Sequence, residues 1–233
     1  MDYSIKKKIE FIKYQKMYYK NYYDDEKRFI NSNIFKNNDS CEVDLLAQIY
    51  SRIGVFNEYE DRYLQYVKLL SNEFSLCGNI LEVGAGRFPI VSYHLSKIKC
   101  RKGTITAYDP RLVTNELEKI KLVKKNFTME DDIEKYDLII GFAPCDATET
   151  IIRQACKNKK DFSIATCGCT IHFPLEFYKS KKNYTEQEWF DYLYLLASEI
   201  KSEDCLIDIK YLPSSFNYKY PIIQGKHIKT KKL

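Results

Sequence analysis

Residues 79–97 read NILEVGAGRFPIVSYHLSK. The stretch opens on a short strand-like run that carries the acidic Glu82. A tight glycine turn follows, Gly84-Ala85-Gly86, and then a run of helical character from about Phe88 to Ile98. A strand, a glycine turn and a helix in that order begin many nucleotide-binding sites. Glycine adopts positive φ without steric cost, and beside a ligand it lets the backbone come close. The third glycine of the dinucleotide fingerprint is missing: Phe88 stands there, followed by Pro89.

The segments downstream alternate between two periodicities. GTITAYD is a β-branched strand ending at Asp109, and PRLVTNELEKI reads as a short helix. KLVKKNF is a third strand, and YDLIIGFAP an apolar fourth that both faces of a sheet must bury. DATETIIRQACKN is a helix, DFSIATCGC a fifth strand and TEQEWFDYLYLLASEIKS a further helix. CLIDIKYLPSSFN and YKYPIIQGKHI are two consecutive strand-like segments. Strands alternating with helices at this spacing predict an α/β fold with a doubly wound parallel sheet.

Upstream, residues 1–76 contain no convincing strand. Three helices are expected there, broken by the turn-forming NSNIFKNNDS and by Gly54. Asn57 and Glu60 have the spacing of a capping box for the third, whose Tyr59, Tyr63, Tyr66, Val67 and Leu70 share one face. The expected organisation is an N-terminal helical cap, 1–76, and an α/β domain, 77–233.

With 45% hydrophobic and 30% charged residues, the 233-residue chain reads as globular rather than disordered. No apolar run approaches the roughly 18 to 20 residues of a membrane span. The N-terminus lacks the apolar core of a signal peptide, so a cytoplasmic location and no membrane partner are expected. The net charge of +5 gathers at the ends, in IKKKIEFIKYQK and GKHIKTKKL. Such ends either solubilise the chain or attract nucleic acid and other anions.

In an open α/β sheet, ligands bind beyond the carboxyl ends of the strands where strand order reverses. Asp109 ends the second strand, and a carboxylate there can accept hydrogen bonds from both hydroxyls of a ribose. Phe88 and Pro89 crowd the place a pyrophosphate would take, and Glu82 would repel a phosphate while favouring an ammonium group. A nucleoside with a cationic amino-acid tail fits these residues better than a dinucleotide.

The E-V-G-A-G turn, the Y-D-P that ends strand two and the order of elements resemble the class I, Rossmann-like S-adenosylmethionine-dependent methyltransferases, over about residues 77–228. The resemblance implies a mostly parallel, seven-stranded sheet closed by an antiparallel terminal hairpin. It places Glu82, Gly84, Ala85 and Gly86 along the methionine part of the cofactor and Asp109 on the ribose. It also places Asn126 and Phe127 near adenine, and Phe142, Ala143 and Pro144 against cofactor and acceptor. The sequence departs from the family at Phe88, in the short TMEDDIEKY connection, and in FAPCDA. That last stretch lacks the Asn-or-Asp-Pro-Pro-aromatic motif of enzymes that methylate amino groups of nucleic acids.

Three readings of function stay open on these residues. One is a methyltransferase with an unidentified acceptor. A second is an aminocarboxypropyl transferase using the same cofactor, since GAGRFPIVSYHL also resembles the nicotianamine synthase-like enzymes. The third is a non-catalytic cofactor-binding or interaction module. Methyl transfer proceeds largely by alignment, with a base where the acceptor must lose a proton. Asp146 and His172 are the candidates for that base, although Asp146 equally suits a helix N-cap. Cys145, Cys167, Cys169 and His172 would share one rim and have the atoms of a zinc set. The C-x-C spacing is tight, however, so reduced packing thiols and no metal are the expectation for the eight cysteines.

Overall fold

The structure, a computed structural model, describes residues 62–86, 89–99, 101–112, 117, 119–167, 185–212 and 221–228. Its elements run α1 (Arg62–Glu73), β1 (Ile80–Val83), α2 (Ile90–Ser96), β2 (Ile105–Tyr108), β3 (Ile120–Val123) and β4 (Leu138–Phe142). There follow a 3-10 turn (Cys145–Ala147), α3 (Thr148–Lys157), β5 (Asp161–Ala165), α4 (Glu186–Ile200), β6 (Cys205–Lys210) and β7 (Ile222–His227). The first two expected cap helices lie outside the described residues, as do 113–116 and 118 of the helix expected over 110–120; the described residues of that stretch form turns, a bridge from Leu117 to Ile120 and the start of β3.

One sheet holds all seven strands in the order β3-β2-β1-β4-β5-β7-β6. β1 to β5 are parallel, while β7 runs antiparallel to both β5 and β6. This is the Rossmann-like, mostly parallel sheet with a terminal hairpin that the sequence led us to expect. Strand order reverses at β1, whose Ile80 lies beside Ile105 of β2 on one side and Leu138 of β4 on the other.

Side chains alternate across the sheet with period two. On one face Ile80, Ile140 and Phe142 meet Tyr66 and Leu70 of α1 and Ile90 and Leu95 of α2. On the other, Leu81, Ile139 and Phe162 meet Ile151 of α3 and Trp189 and Leu193 of α4. All five residues of β4 are buried, which is why that strand reads as an unbroken apolar run. α4 starts at a capping box: the Thr185 side chain accepts from Glu188 N, and Glu188 Oε2 accepts from Thr185 N at 2.9 Å. No helix among the described residues is long and apolar enough to cross a membrane.

α1, the third helix expected of the cap, packs into the same apolar cluster as the sheet. Its inward face carries one polar anchor. The fully buried Tyr66 hydroxyl donates to the carbonyl of Ser163 at 2.7 Å. Ser163 Oγ lies 3.1 Å from the same phenol oxygen and accepts from Gln224 Nε2 at 3.2 Å. Burial pushes the phenol's pKa far above its ordinary value, against the opposing bond to Ser163, so the hydroxyl keeps its proton. A buried hydroxyl is costly unless bonded, so this contact fixes where α1 sits on β5 and β7. Tyr66→Phe is expected to destabilise the protein by about 1–2 kcal/mol. Thermal melting should show a fall of a few degrees, and an unchanged melting temperature would mean that the contact does not hold the helix.

Candidate functional site

The turn after β1 is shaped by its two glycines. Gly84 has φ +69° and Gly86 φ +76°, values that side chains disfavour. Gly84 N and Ala85 N both donate to the Tyr108 carbonyl, at 2.9 and 3.1 Å, which ties the turn to the end of β2. A Cβ on Gly84 would stand 2.6 Å from Pro144 Cα, so this turn presses directly on the turn after β4. A Cβ on Gly86 would meet nothing within 4 Å among the described residues. Gly84 is therefore needed for backbone contact as well as for conformation, while Gly86 faces open space.

Asp109 holds this turn from the end of β2. Its side chain is buried, and its Oδ2 accepts from Gly86 N at 2.8 Å. Oδ1 accepts from Arg111 N at 2.7 Å, the turn that an Asp-Pro-x sequence favours. The Arg111 guanidinium then straddles the carboxylate, with Nε donating to Oδ1 and Nη2 to Oδ2, both at 3.2 Å. Each carboxylate oxygen offers two lone pairs, so two backbone amides and one guanidinium fill all four. The Arg111 side chain is 67% exposed where Asp109 is 2%. Its pKa is raised, chiefly by the bonds to Asp109, with Cys145 and Asp146 acting in the same sense from across the rim.

Glu82 lies beneath the turn and is buried on the α1/α2 face. α2 begins after Pro89, which offers its first turn no side-chain cap. Glu82 Oε2 supplies the missing acceptor. It takes Ser92 N, the third amide of the helix, at 2.9 Å, and the Ser92 hydroxyl as well. Burial raises the Glu82 pKa to about 7; the Ser92 bonds oppose this, and the charge of Asp109 adds to it. The helix start is thus already served by an acidic side chain and is a poor place for a phosphate.

The turn after β4 is tightly held. Ala143 and Cys145 take left-handed conformations at φ +52° and +48°. Each costs about 1–2 kcal/mol in a non-glycine residue. Ala143 N donates to Ala165 O at 2.7 Å, and Thr148 Oγ1 donates to Cys145 O at 2.7 Å. Phe142 is met by two rings of α1, tilted Tyr63 at a centroid distance of 4.5 Å and edge-on Tyr66 at 5.3 Å. Asp146 stands exposed in the 3-10 turn. It does not cap α3, because the cap position falls one residue later on Ala147, where no side-chain bond is made.

The structure therefore brings Gly84, Ala85, Gly86, Asp109, Phe142, Ala143 and Pro144 to adjoining strand ends and turns, with Glu82 buried beneath them. Phe127 is buried against Tyr108, ring centroids 6.1 Å apart, on the side of α3, and Asn126 before it is exposed. Phe88, Cys169 and His172 lie outside the described residues. Cys145 and Cys167 do meet, Sγ to Sγ, at 3.6 Å. Among the described residues no three His, Cys, Asp or Glu side chains form a metal-binding group. Sequence reasoning gave no role to Ser92 or to the Arg111 side chain, and read Tyr63 only as part of a helix face. Asp-Pro-Arg signalled a turn at Arg111, and Pro89 signalled a helix start in need of an outside acceptor.

No protein-family model and no curated protein matches the sequence. Among solved structures, one similar chain is in a fibrillarin/Nop5p complex, at 16% identity, covering 70% of this chain and 79% of that one, TM-score 0.47. Another is a putative rRNA-methylase from Clostridium thermocellum, at 10% identity, covering 70% and 96%, TM-score 0.46. A third is Burkholderia thailandensis 1,6-didemethyltoxoflavin-N1-methyltransferase, at 16% identity, covering 79% and 86%, TM-score 0.46. Likenesses this distant do not bear on function, which rests on strand order and the geometry of the rim.

Glu82 makes stability depend on pH. Its carboxyl is near 7 when folded and 4.5 ordinarily, so between those values the folded state binds more protons than the unfolded. Its contribution is full below about pH 4.5 and is lost as pH rises through 7, on the order of 3 kcal/mol in all. Glu82→Gln keeps an oxygen for Ser92 and cannot ionise. Melting temperatures from pH 5 to 7.5 should fall more steeply in the parent protein than in this variant. Parallel curves would show that Glu82 is charged throughout.

Proposed function

We propose that this chain is an S-adenosylmethionine-dependent methyltransferase acting on an acceptor whose chemistry its rim does not yet specify. The observation that carries the reading is the seat on Asp109. A guanidinium fork donates to both carboxylate oxygens there, beside a glycine that opens onto free space. Two donors side by side are what a ribose presents through its vicinal hydroxyls. The guanidinium is a stand-in for that diol, and a nucleoside displaces it while the backbone bonds of Gly86 and Arg111 to Asp109 persist.

The remaining roles follow from position. The amino-acid tail lies along Gly84, Ala85 and Gly86, where Glu82 below, once ionised, favours an ammonium over a phosphate. Adenine lies toward Asn126 and Phe127. Phe142, Ala143 and Pro144 wall the cofactor and the entry of the acceptor. The cofactor supplies a methyl group already activated by its sulfonium, so the protein's work is mainly alignment. Asp146, exposed on the rim, is suited to receive a proton from the acceptor, and His172 is the second candidate. Residues 1–76 form a helical cap on the 77–233 domain, of which α1 packs the Tyr63 and Tyr66 rings against Phe142. We place the protein in the cytoplasm, without membrane contact, its basic ends available to nucleic acid.

Thermal melting with millimolar S-adenosylmethionine and S-adenosylhomocysteine tests this. Both should raise the melting temperature by several degrees, since a ligand at a hundred times its Kd adds about 2.7 kcal/mol. Asp109→Ala should abolish the response. Arg111→Ala, which removes only the competing fork, should tighten binding, by roughly tenfold if the displaced bonds count for about 1.5 kcal/mol. No shift with either compound would overturn the cofactor assignment. Labelled cofactor then distinguishes methyl from aminocarboxypropyl transfer.

A further inference from the structure

The five described cysteines are all reduced; Cys77 is exposed, and the other four fall into two pairs. Cys156 of α3 and Cys205 of β6 are buried thiols near one another. Desolvation pushes Cys156 up to about 12 and Cys205 up as well, so both stay protonated and inert. Cys145 and Cys167 are different. They sit at the exits of two adjacent strands, Cys145 half-buried and Cys167 buried, with their sulfurs 3.6 Å apart.

We propose that Cys145 and Cys167 are a reversible oxidation site, closed to a disulfide by a peroxide. The strand ends bring the two residues together. Phe142 lies beside Ala165 in the parallel β4–β5 pair, and Ala143 N still donates to Ala165 O beyond it, so the two chains leave the sheet side by side. The sulfurs have about 1.5 Å to close to reach bonding distance. Cys145 sits half-buried in a left-handed turn at the rim, where peroxide reaches it, whereas Cys167 is buried.

The chemistry balances in two steps. The Cys145 thiolate attacks one peroxide oxygen, the O–O bond breaks, and the departing hydroxide takes the proton the thiol gave up and leaves as water. Cys145 is then a sulfenic acid. The Cys167 sulfur attacks the sulfenic sulfur, its proton goes to the departing hydroxyl, and a second water leaves. Two thiols are oxidised by two electrons and one peroxide becomes two waters. The disulfide joins the turn after β4, which carries Pro144 and Asp146, to the exit of β5.

The test is independent of any cofactor. The reduced full-length protein is treated with one equivalent of hydrogen peroxide, alkylated, digested and mapped by mass spectrometry. The expected result is a cross-linked pair of peptides containing Cys145 and Cys167, two hydrogens lighter than their sum, lost on dithiothreitol treatment. Cys156 and Cys205 should remain intact thiols. In Cys167→Ala the cross-link should vanish and a dimedone adduct should accumulate on Cys145. If that variant does not fold, dimedone trapping on the parent protein at short times gives the same reading. Full alkylation of Cys145 and Cys167 after peroxide, or a Cys145 cross-link chiefly to Cys169 or to a second molecule, would overturn the proposal.

Discussion

The carboxylate of Asp109 is the constraint on which the rim depends. One oxygen holds Gly86 in a conformation that only glycine takes readily, and the other closes the turn at Arg111. The turn after β1 and the turn after β2 are thereby locked to one another. Gly84 then locks the first of them to Pro144 and the turn after β4. Three loops that would otherwise move independently are built around one buried acid. A ligand replacing only the Arg111 fork finds its acceptor already oriented, with little left to order on binding.

The sheet's α1/α2 face carries polar groups in an apolar layer, and each does a positional task. Glu82 anchors α2 through Ser92, and Tyr66 anchors α1 through Ser163. Such bonds add little net stability, yet leaving either group unbonded would be costly, so they select one seating of each helix over its neighbours. Both anchors bear on the rim. α2 continues from the glycine turn, and α1 brings Tyr63 and Tyr66 onto Phe142 at the end of β4.

Much of this was legible in the sequence because it rests on local necessity. The glycine turn, the acid ending β2, the apolar β4 and the Thr185 capping box leave marks that spacing and residue type reveal. What stayed hidden depends on contacts far apart in the chain. Tyr66 and Ser163 are 97 residues apart, and nothing in the helical periodicity of α1 distinguishes its hydroxyl from an ordinary packing tyrosine. Ser92 is indistinguishable from any helical serine until Glu82 is placed beneath it. Asp146 shows the opposite failure. Its local preference for capping yields to the left-handed residues on either side of Pro144, which start a 3-10 turn and move the helix start past it. Arg111 was read into a short helix, and the direction of its guanidinium follows from the Asp109 carboxylate beside it.

The most direct measurement is a crystal structure of the protein with S-adenosylhomocysteine. The two ribose hydroxyls should sit on Asp109 and the amino-acid tail along Gly84–Gly86, with the Arg111 guanidinium displaced while its backbone amide stays bonded to Oδ1. A ligand bound elsewhere, or an Arg111 fork still seated on Asp109 at saturating ligand, would contradict the assignment of Asp109 as the ribose seat.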